Sequence, residues 1–497
     1  MPIELPDVRL AAIAPEIVLI IGAFVVLLAD AFLSARLKQS VFLPYLASLG
    51  LILSAAFAFT TWGDNQLQLS GMVALDSFSA FVKITLVVFG LLTVWLGREY
   101  LVGENIEEPE FYALVLFATS GMMLMGSAAD LIMIFLALET FSIALYVLVG
   151  WRRRSLESQE SAMKYFLLGA FSSAFFLLGI ALTYGAVGST ALYGSTGPQA
   201  QPGIAEFLRT TPAEDYAPLV VAVGLLIVGL GFKVAAVPFH LWTPDAYQGA
   251  PSPVTGFMAA GSKLAGFAAL LRLLDATLFP LAWDWRPLVV GIAAATMAVG
   301  SVLAIVQENV KRMLAYSSIA HAGFVFTGLI AASDRGVSSS LFYLATYGIT
   351  VVGAFAVVTI ISGRGEERVR LSDYRGLYHK QPLLAGALTL FLLSLAGVPL
   401  TSGFVGKLVV FSSAVEAGYA WLVVIGMLAS AIAAFFYLRV LVVMYMQEAD
   451  ETKEWAEPGP ISEAVVVLTA AATIVLGIFW GPLIDAAEGA RFFFAGP

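Results

Sequence analysis

Apolar stretches of about twenty residues recur along almost the whole chain. That repetition constrains the fold most, because a helix of ~20 residues spans the hydrocarbon core of a bilayer. Fourteen such stretches lie near 10–30, 42–61, 75–97, 111–127, 130–150, 162–185, 217–240, 252–274, 287–306, 312–331, 338–362, 382–416, 420–446 and 461–486. The chain is 60% apolar and 12% charged, where soluble domains hold roughly 45–50% and about 25%. Backbone groups in lipid must be hydrogen-bonded internally, which leaves helices or closed barrels, and a barrel would show alternating segments of ~10 residues. The expectation is an all-α integral membrane protein of about 14 transmembrane helices. Loops are expected at 186–203, 363–381 and 447–459, with no water-soluble domain between them.

The first apolar run carries Glu16 and is preceded by Glu4, Asp7 and a single base, Arg9. A secretory signal needs a basic start, so a retained first helix is expected, although Ala29-Asp-Ala31 has the small residues of a cleavage site. With no cysteine there is no disulfide, thiolate zinc site or Cys-ligated iron–sulfur cluster. Three histidines, His240, His321 and His379, are too few for a multi-haem site, so redox chemistry is expected elsewhere. The formal charge of −9 argues against nucleic acid as a partner. Gly229-Leu-Gly231 only begins a dinucleotide fingerprint and lies inside a span with no preceding strand, so no cofactor or metal is expected on this chain.

Charge asymmetry predicts orientation. With the N-terminus outside, the inside loops hold fourteen basic residues, including Arg152, Arg153, Arg154, Lys311 and Arg312, and the outside segments hold five. The positive-inside rule then places both termini outside, periplasmic for a protein of the cell inner membrane. Seven basic residues remain within spans: Lys83, Lys164, Lys233, Lys263, Arg272, Lys407 and Arg439. A charge at a helix centre costs at least ~2.5–3.5 kcal/mol unless it faces protein, water or a partner, so these seven, with Glu139, mark where function should lie. Lys83, Arg272 and Arg439 lie close enough to span ends for snorkelling to be expected, and Lys164 suits snorkelling or burial equally. Lys233, Lys263, Lys407 and Glu139 lie deeper, where the plain alternative is a buried ion pair that fixes helix packing.

Two spans look broken. Ala-Ala-Val-Pro interrupts 231–240 and Ala-Gly-Val-Pro interrupts 395–407; proline removes a backbone hydrogen bond and its ring disrupts the preceding turn. The breaks fall in the seventh and twelfth spans, five apart and opposite in direction, as two inverted five-helix repeats (spans four to eight and nine to thirteen) require. Proline kinks are also common in ordinary membrane helices. The implied organisation is an N-terminal three-helix segment (1–110), a first repeat (111–275), a second repeat (276–447), and a C-terminal loop and helix (448–497).

Three motifs carry a family resemblance: Ala137-Leu-Glu139-Thr-Phe-Ser-Ile-Ala-Leu-Tyr-Val-Leu148, Pro238-Phe-His240-Leu-Trp-Thr-Pro-Asp-Ala-Tyr-Gln-Gly-Ala-Pro251 and Asn309-Val-Lys-Arg-Met-Leu-Ala-Tyr-Ser-Ser-Ile-Ala-His321-Ala-Gly-Phe324. They resemble the signatures of the antiporter-like subunits of proton-pumping NADH:quinone oxidoreductase, respiratory complex I. Fourteen spans without a long lateral helix, and a lysine rather than a glutamate at position 407, resemble the chain N branch most. Multi-subunit cation/proton antiporters and membrane-bound hydrogenases share the same core.

The resemblance implies a proton relay. Glu139 would pair with Lys233, with Lys164 in the same charged cluster. Lys263 would connect along a central polar axis, His321 would bridge two half-channels, and Lys407 would face the exit. As a lone histidine among apolar residues, His321 also suits a satisfied core position, and His240 suits a structural role at the break. The partners implied are the other membrane and peripheral subunits, which would hold FMN and iron–sulfur clusters; quinone is used by the complex but not bound here, and lipid surrounds the chain. In general, burial weakens a lysine's hold on its proton and a nearby carboxylate restores it, so a movable pair can act as a switch. Three functions compete: proton-translocating subunit, sodium- or potassium-exchanging antiporter subunit, and passive membrane scaffold.

Overall fold

The computed structural model describes residues 10–32, 42–194, 202–211, 217–362, 367–449 and 458–493. Both chain ends and parts of the loops 186–203, 363–381 and 447–459 lie outside the described residues. The helices in chain order are α1 (Ala14–Phe32), α2 (Phe42–Thr60), α3 (Ser77–Glu104), α4 (Pro109–Ser127), α5 (Leu131–Val149) and α6 (Leu156–Val187). Next come α7 (Ala217–Lys233), α8 (Trp242–Gly249), α9 (Ser252–Thr277), α10 (Ala282–Ile305), α11 (Val310–Ala331) and α12 (Asp334–Ser362). The last are α13 (Pro382–Ala396), α14 (Ser402–Glu416), α15 (Ala420–Met446), α16 (Pro460–Ile478) and α17 (Gly481–Gly489).

Twelve of the described helices are long and apolar enough to cross a membrane. The two expected spans that fall short are the seventh and the twelfth. The seventh divides into α7 and α8, and the twelfth into the fifteen-residue halves α13 and α14. Both interruptions follow the proline runs. The chain is not wholly helical: β1 (Asn65–Gln68) pairs antiparallel with β2 (Val73–Asp76), with Asn65 opposite Asp76. This hairpin was not expected, because the run from residue 75 read as the start of the third span; the helix begins only at Ser77, where Asp76 accepts from Ser79 N at 2.8 Å and caps it.

Polar residues set other helix starts. Asp130 accepts from the amides of Ile132 (2.7 Å) and Met133 (3.3 Å), and Asn309 accepts from Arg312 N (3.1 Å). The interior of the bundle is α9, α11 and α12, which are almost wholly buried, whereas α1, α6 and α16 bury about a third of their residues or less. Large apolar side chains such as Phe24, Leu28, Phe171, Leu428 and Leu468 stand exposed on outer helices, as lipid-facing surfaces require. Small residues hold the centre tight. A Cβ on Gly300 of α10 would fall 2.5 Å from Ala320 N, and one on Gly323 of α11 would fall 2.7 Å from Met297 N. Helix α11, which carries His321, is thereby locked against α10.

Candidate functional site

The break after α7 leaves backbone groups without helical partners, and side chains supply them. Trp242 Nε1 donates to Phe232 O (2.8 Å), and Val237 N donates to Thr296 Oγ1 (2.9 Å). Ala235 takes a left-handed conformation, φ +62°, to redirect the chain. His240 is buried beside this break, and its Nδ1 has no hydrogen-bond partner among the described residues.

Lys233 ends α7 and is buried, with no hydrogen bond to its ammonium. Four aromatic rings surround Nζ: Phe141 at 5.2 Å, Tyr165 at 5.4 Å, Tyr146 at 5.5 Å and Phe232 at 5.7 Å. Such faces attract a cation by their quadrupoles without accepting a proton from it. Glu139 stands on α5, the helix that supplies Phe141 and Tyr146, and accepts a hydrogen bond from Ser173 Oγ. Glu139 and Lys233 make no ion pair within 4 Å among the described residues.

Lys263 lies on α9 between two π-helical turns, Met258–Ser262 and Leu271–Thr277. Its Nζ donates to Val234 O (3.2 Å) and Ser318 O (2.6 Å), so it joins the α7 break to α11. One turn further along α11, His321 meets Tyr343 Oη through Nδ1 (2.7 Å) and Tyr437 Oη through Nε2 (3.4 Å). Lys263 meets α11 at Ser318, one turn before His321, and Lys407 meets it at the Phe324 ring, one turn after.

Lys407 on α14 turns back to the break of its own span. Its Nζ donates to Leu395 O and Ala396 O (both 2.9 Å) and to Ser430 Oγ (2.6 Å), and lies 4.9 Å from the centre of the Phe324 ring. Gly397, φ +89°, ends α13, and a Cβ there would approach Lys407 Cδ to 3.0 Å, so the break is shaped around the lysine stem. The structure thus groups Lys233, Lys263, His321 and Lys407 along one buried path, with Glu139 beside its start.

Lys164 is not in that path. Its half-exposed ammonium pairs with Glu160 (2.7 Å) and Asp245 (3.0 Å). Asp245 also holds Arg312 (2.5 Å), which makes a charged rim on α6, α8 and α11. The expectation of snorkelling fails for two residues. Lys83 is fully buried and pairs with Glu16 at 2.8 Å; Arg272 is fully buried and binds Asp76 through both guanidinium nitrogens, at 2.7 and 3.0 Å. Each acid stands at the edge of an apolar run, so window averaging concealed its partner. Arg439 does reach a helix end, donating to Ile305 O (2.8 Å) and to Gln307 O. A cluster that the sequence did not mark joins Lys311 to Glu367 (3.0 Å), with Arg152 (3.4 Å) and the Tyr100 hydroxyl (3.1 Å) on the same carboxylate.

A many-helix membrane protein with two interrupted helices and buried lysines beside both interruptions defines a narrow class. Residues 128–433 match the family described as NADH:quinone oxidoreductase/Mrp antiporter, TM, and they include Glu139, Lys164, Lys233, Lys263, His321 and Lys407. NADH-quinone oxidoreductase subunit N of Trichlorobacter lovleyi is 43% identical over 484 residues, covering 97% of each chain. A chain of respiratory complex I from Thermus thermophilus with bound aureothin has a TM-score of 0.79 at 35% identity, covering 96% of this chain and 99% of that one. A chain of the membrane-bound sulfane sulfur reductase, an archaeal respiratory membrane complex, has a TM-score of 0.81 at 25% identity, covering 97% of both. The chain belongs to the NADH-quinone oxidoreductase subunit N family, the antiporter-like membrane subunits of complex I.

Proposed function

We propose that this chain carries protons from the cytoplasm outward as the N subunit of a proton-pumping NADH:quinone oxidoreductase. The observation that carries this is the disposition of Lys233, Lys263 and Lys407. All three are buried, none has a carboxylate within 4 Å among the described residues, and Lys263 bridges from the carbonyl next to Lys233 to the helix of His321. Buried unpaired charges cost several kcal/mol, by the rough scale for membrane interiors, and chains retain them where charge movement is the task.

In this account Glu139 governs the charge of Lys233. When that carboxylate turns away, the Lys233 ammonium gives up its proton toward Lys263, from which His321 passes it to Lys407. Lys164 tunes the inner rim through Asp245 rather than joining the relay. The scaffold is fourteen spans, with α7–α8 and α13–α14 as the broken members of two inverted five-helix repeats (111–275 and 276–447), flanked by segments 1–110 and 448–497. The chain sits in the inner membrane with both termini periplasmic. It holds no cofactor of its own; FMN and iron–sulfur clusters belong to partner subunits, and quinone is reduced elsewhere in the complex.

The test is NADH-driven proton uptake into sealed inside-out vesicles without sodium or potassium, comparing Lys233→Met with wild type at equal assembled complex. Sodium-independent pumping that the substitution abolishes supports the proposal. Pumping that requires sodium points to a cation exchanger, and pumping untouched by the substitution points to a scaffold.

A further inference from the structure

The relay begins deep in the membrane, and the described path contains no step from the aqueous surface to Lys263. A cavity of about 820 Å³ opens at the ends of α3 and α5, lined by Trp151, Arg152, Arg153, Glu157 and Glu367 among others. Glu367 is its most inward acid, with a side chain only 8% exposed, and behind it the Lys311 side chain has no exposure at all. One carboxylate oxygen of Glu367 receives Lys311 Nζ (3.0 Å) and the Arg152 guanidinium (3.4 Å), and the other receives the Tyr100 hydroxyl (3.1 Å).

Lys311 continues inward. Its Nζ also donates to Ala250 O (2.6 Å), at the carboxyl end of α8. Two residues along the chain from Ala250, Ser252 has a buried Oγ with no hydrogen-bond partner, and the hydroxyl of Tyr247 on α8 meets Ser318 Oγ at 3.4 Å. The carbonyl of Ser318 is the one that holds Lys263. Lys311 and Ser318 stand seven residues apart on α11, about 10 Å along the helix at ~1.5 Å per residue. A titratable pair facing water on one side, and a line of hydroxyl groups leading to Lys263 on the other, have the layout of an uptake path.

We infer that Glu367 is the proton-uptake group of this chain and Lys311 its inward donor, delivering to Lys263 past Ser252, Tyr247 and Ser318. Glu367 takes a proton from water in the cavity and becomes neutral, which breaks its ion pair. Lys311 then releases one proton inward and recovers one from Glu367, so one proton enters from water for each that Lys311 delivers to Lys263. The inference rests on the relay proposed above. Arg152 and Tyr100 act as positioning residues that hold the carboxylate at the cavity floor.

The test uses the assembled complex in sealed vesicles, with Glu367→Gln, Lys407→Ala and wild type in parallel, each with and without azide, a small permeant weak acid. Glu367→Gln is expected to slow pumping roughly a hundredfold, the lower end of what a positioned acid–base group supplies, and azide is expected to restore it. Packing damage is not repaired by a diffusible acid, so a slow variant that azide leaves slow overturns the inference. If Glu367→Gln pumps normally while Lys407→Ala does not, the uptake site is wrong and the relay stands; if both pump normally, the relay itself fails. Should Glu367→Gln not assemble, Glu367→Gln with Lys311→Met restores charge balance. Assembled complex that still does not pump supports uptake through this pair, and recovered pumping assigns the pair to packing.

Discussion

Lys263 holds its ammonium 3.2 Å from the carbonyl of Val234, the residue that follows Lys233 at the break of the seventh span. Two lysines on different helices are thus joined through one peptide, so the charge on Lys263 is set beside the backbone that carries Lys233. Lys263→Met keeps the stem but removes the donor from two buried carbonyls. Each buried acceptor left unpaired costs about 1–3 kcal/mol. Thermal unfolding of purified complex should therefore begin earlier, and proton pumping should be lost. Lys263→Arg should restore stability better than pumping, because guanidinium does not release a proton in the cycle.

Glu139 and Lys233 make no ion pair within 4 Å among the described residues, so the switch proposed for them has to act across space. Glu139→Gln should impair pumping, and Glu139→Asp should impair it less. If the two form one switch, Glu139→Gln combined with Lys233→Ala should cost little more than the worse single change. Initial pumping rates per assembled complex measure this, and losses that multiply in the double variant would separate the two residues.

Arg272 and Asp76 join α9 to the start of α3, and the amide of Phe493 also donates to Asp76 (2.8 Å). Removing one member of a buried pair leaves an uncompensated charge, at a cost of roughly 3–5 kcal/mol. Arg272→Leu should lower the yield and thermal midpoint of the assembled complex, and Arg272→Leu with Asp76→Leu should recover much of both. Blue-native gels and thermal melts read the difference; an Arg272→Leu complex as stable as wild type would remove the pair from the account of stability.

Orientation has its own test. The chain lacks cysteine, so single cysteines at Arg153 and Ser189 can be labelled with an impermeant reagent in whole cells and in inverted vesicles. The Arg153 position should react only from the cytoplasmic side and the Ser189 position only from the other. The reverse pattern would invert the membrane sidedness proposed here.

Twelve of the spans and both breaks were legible because they depend on local properties: a run of apolar residues sets a membrane helix, and a proline in it removes a backbone bond. Lys233, Lys263 and Lys407 were legible as charges far from any span end. The partners of the other charges were not. Glu16 and Lys83, Asp76 and Arg272, and Glu367 and Lys311 each meet through tertiary packing across 56 residues or more of sequence, so neither periodicity nor a hydropathy window records the pairing. The resemblance placed Lys164 in the Glu139 cluster; its ion pairs with Glu160 and Asp245 were not legible in the sequence. The hairpin Asn65–Asp76 escaped because its second strand, Val73–Asp76, is apolar enough to merge with the helix behind it.

In the proposed relay protons leave through a lysine held by the carbonyls of a broken helix, and that lysine is Lys407. Reconstituted complex carrying Lys407→Ala, matched to wild type for assembly, is compared for the initial rate of NADH-driven proton translocation into sealed vesicles. A loss of roughly a hundredfold or more is expected, the scale of a positioned proton-transfer group, with Lys407→Arg failing to restore it. Wild-type translocation by Lys407→Ala would exclude exit through that lysine and leave it as a packing element of the break.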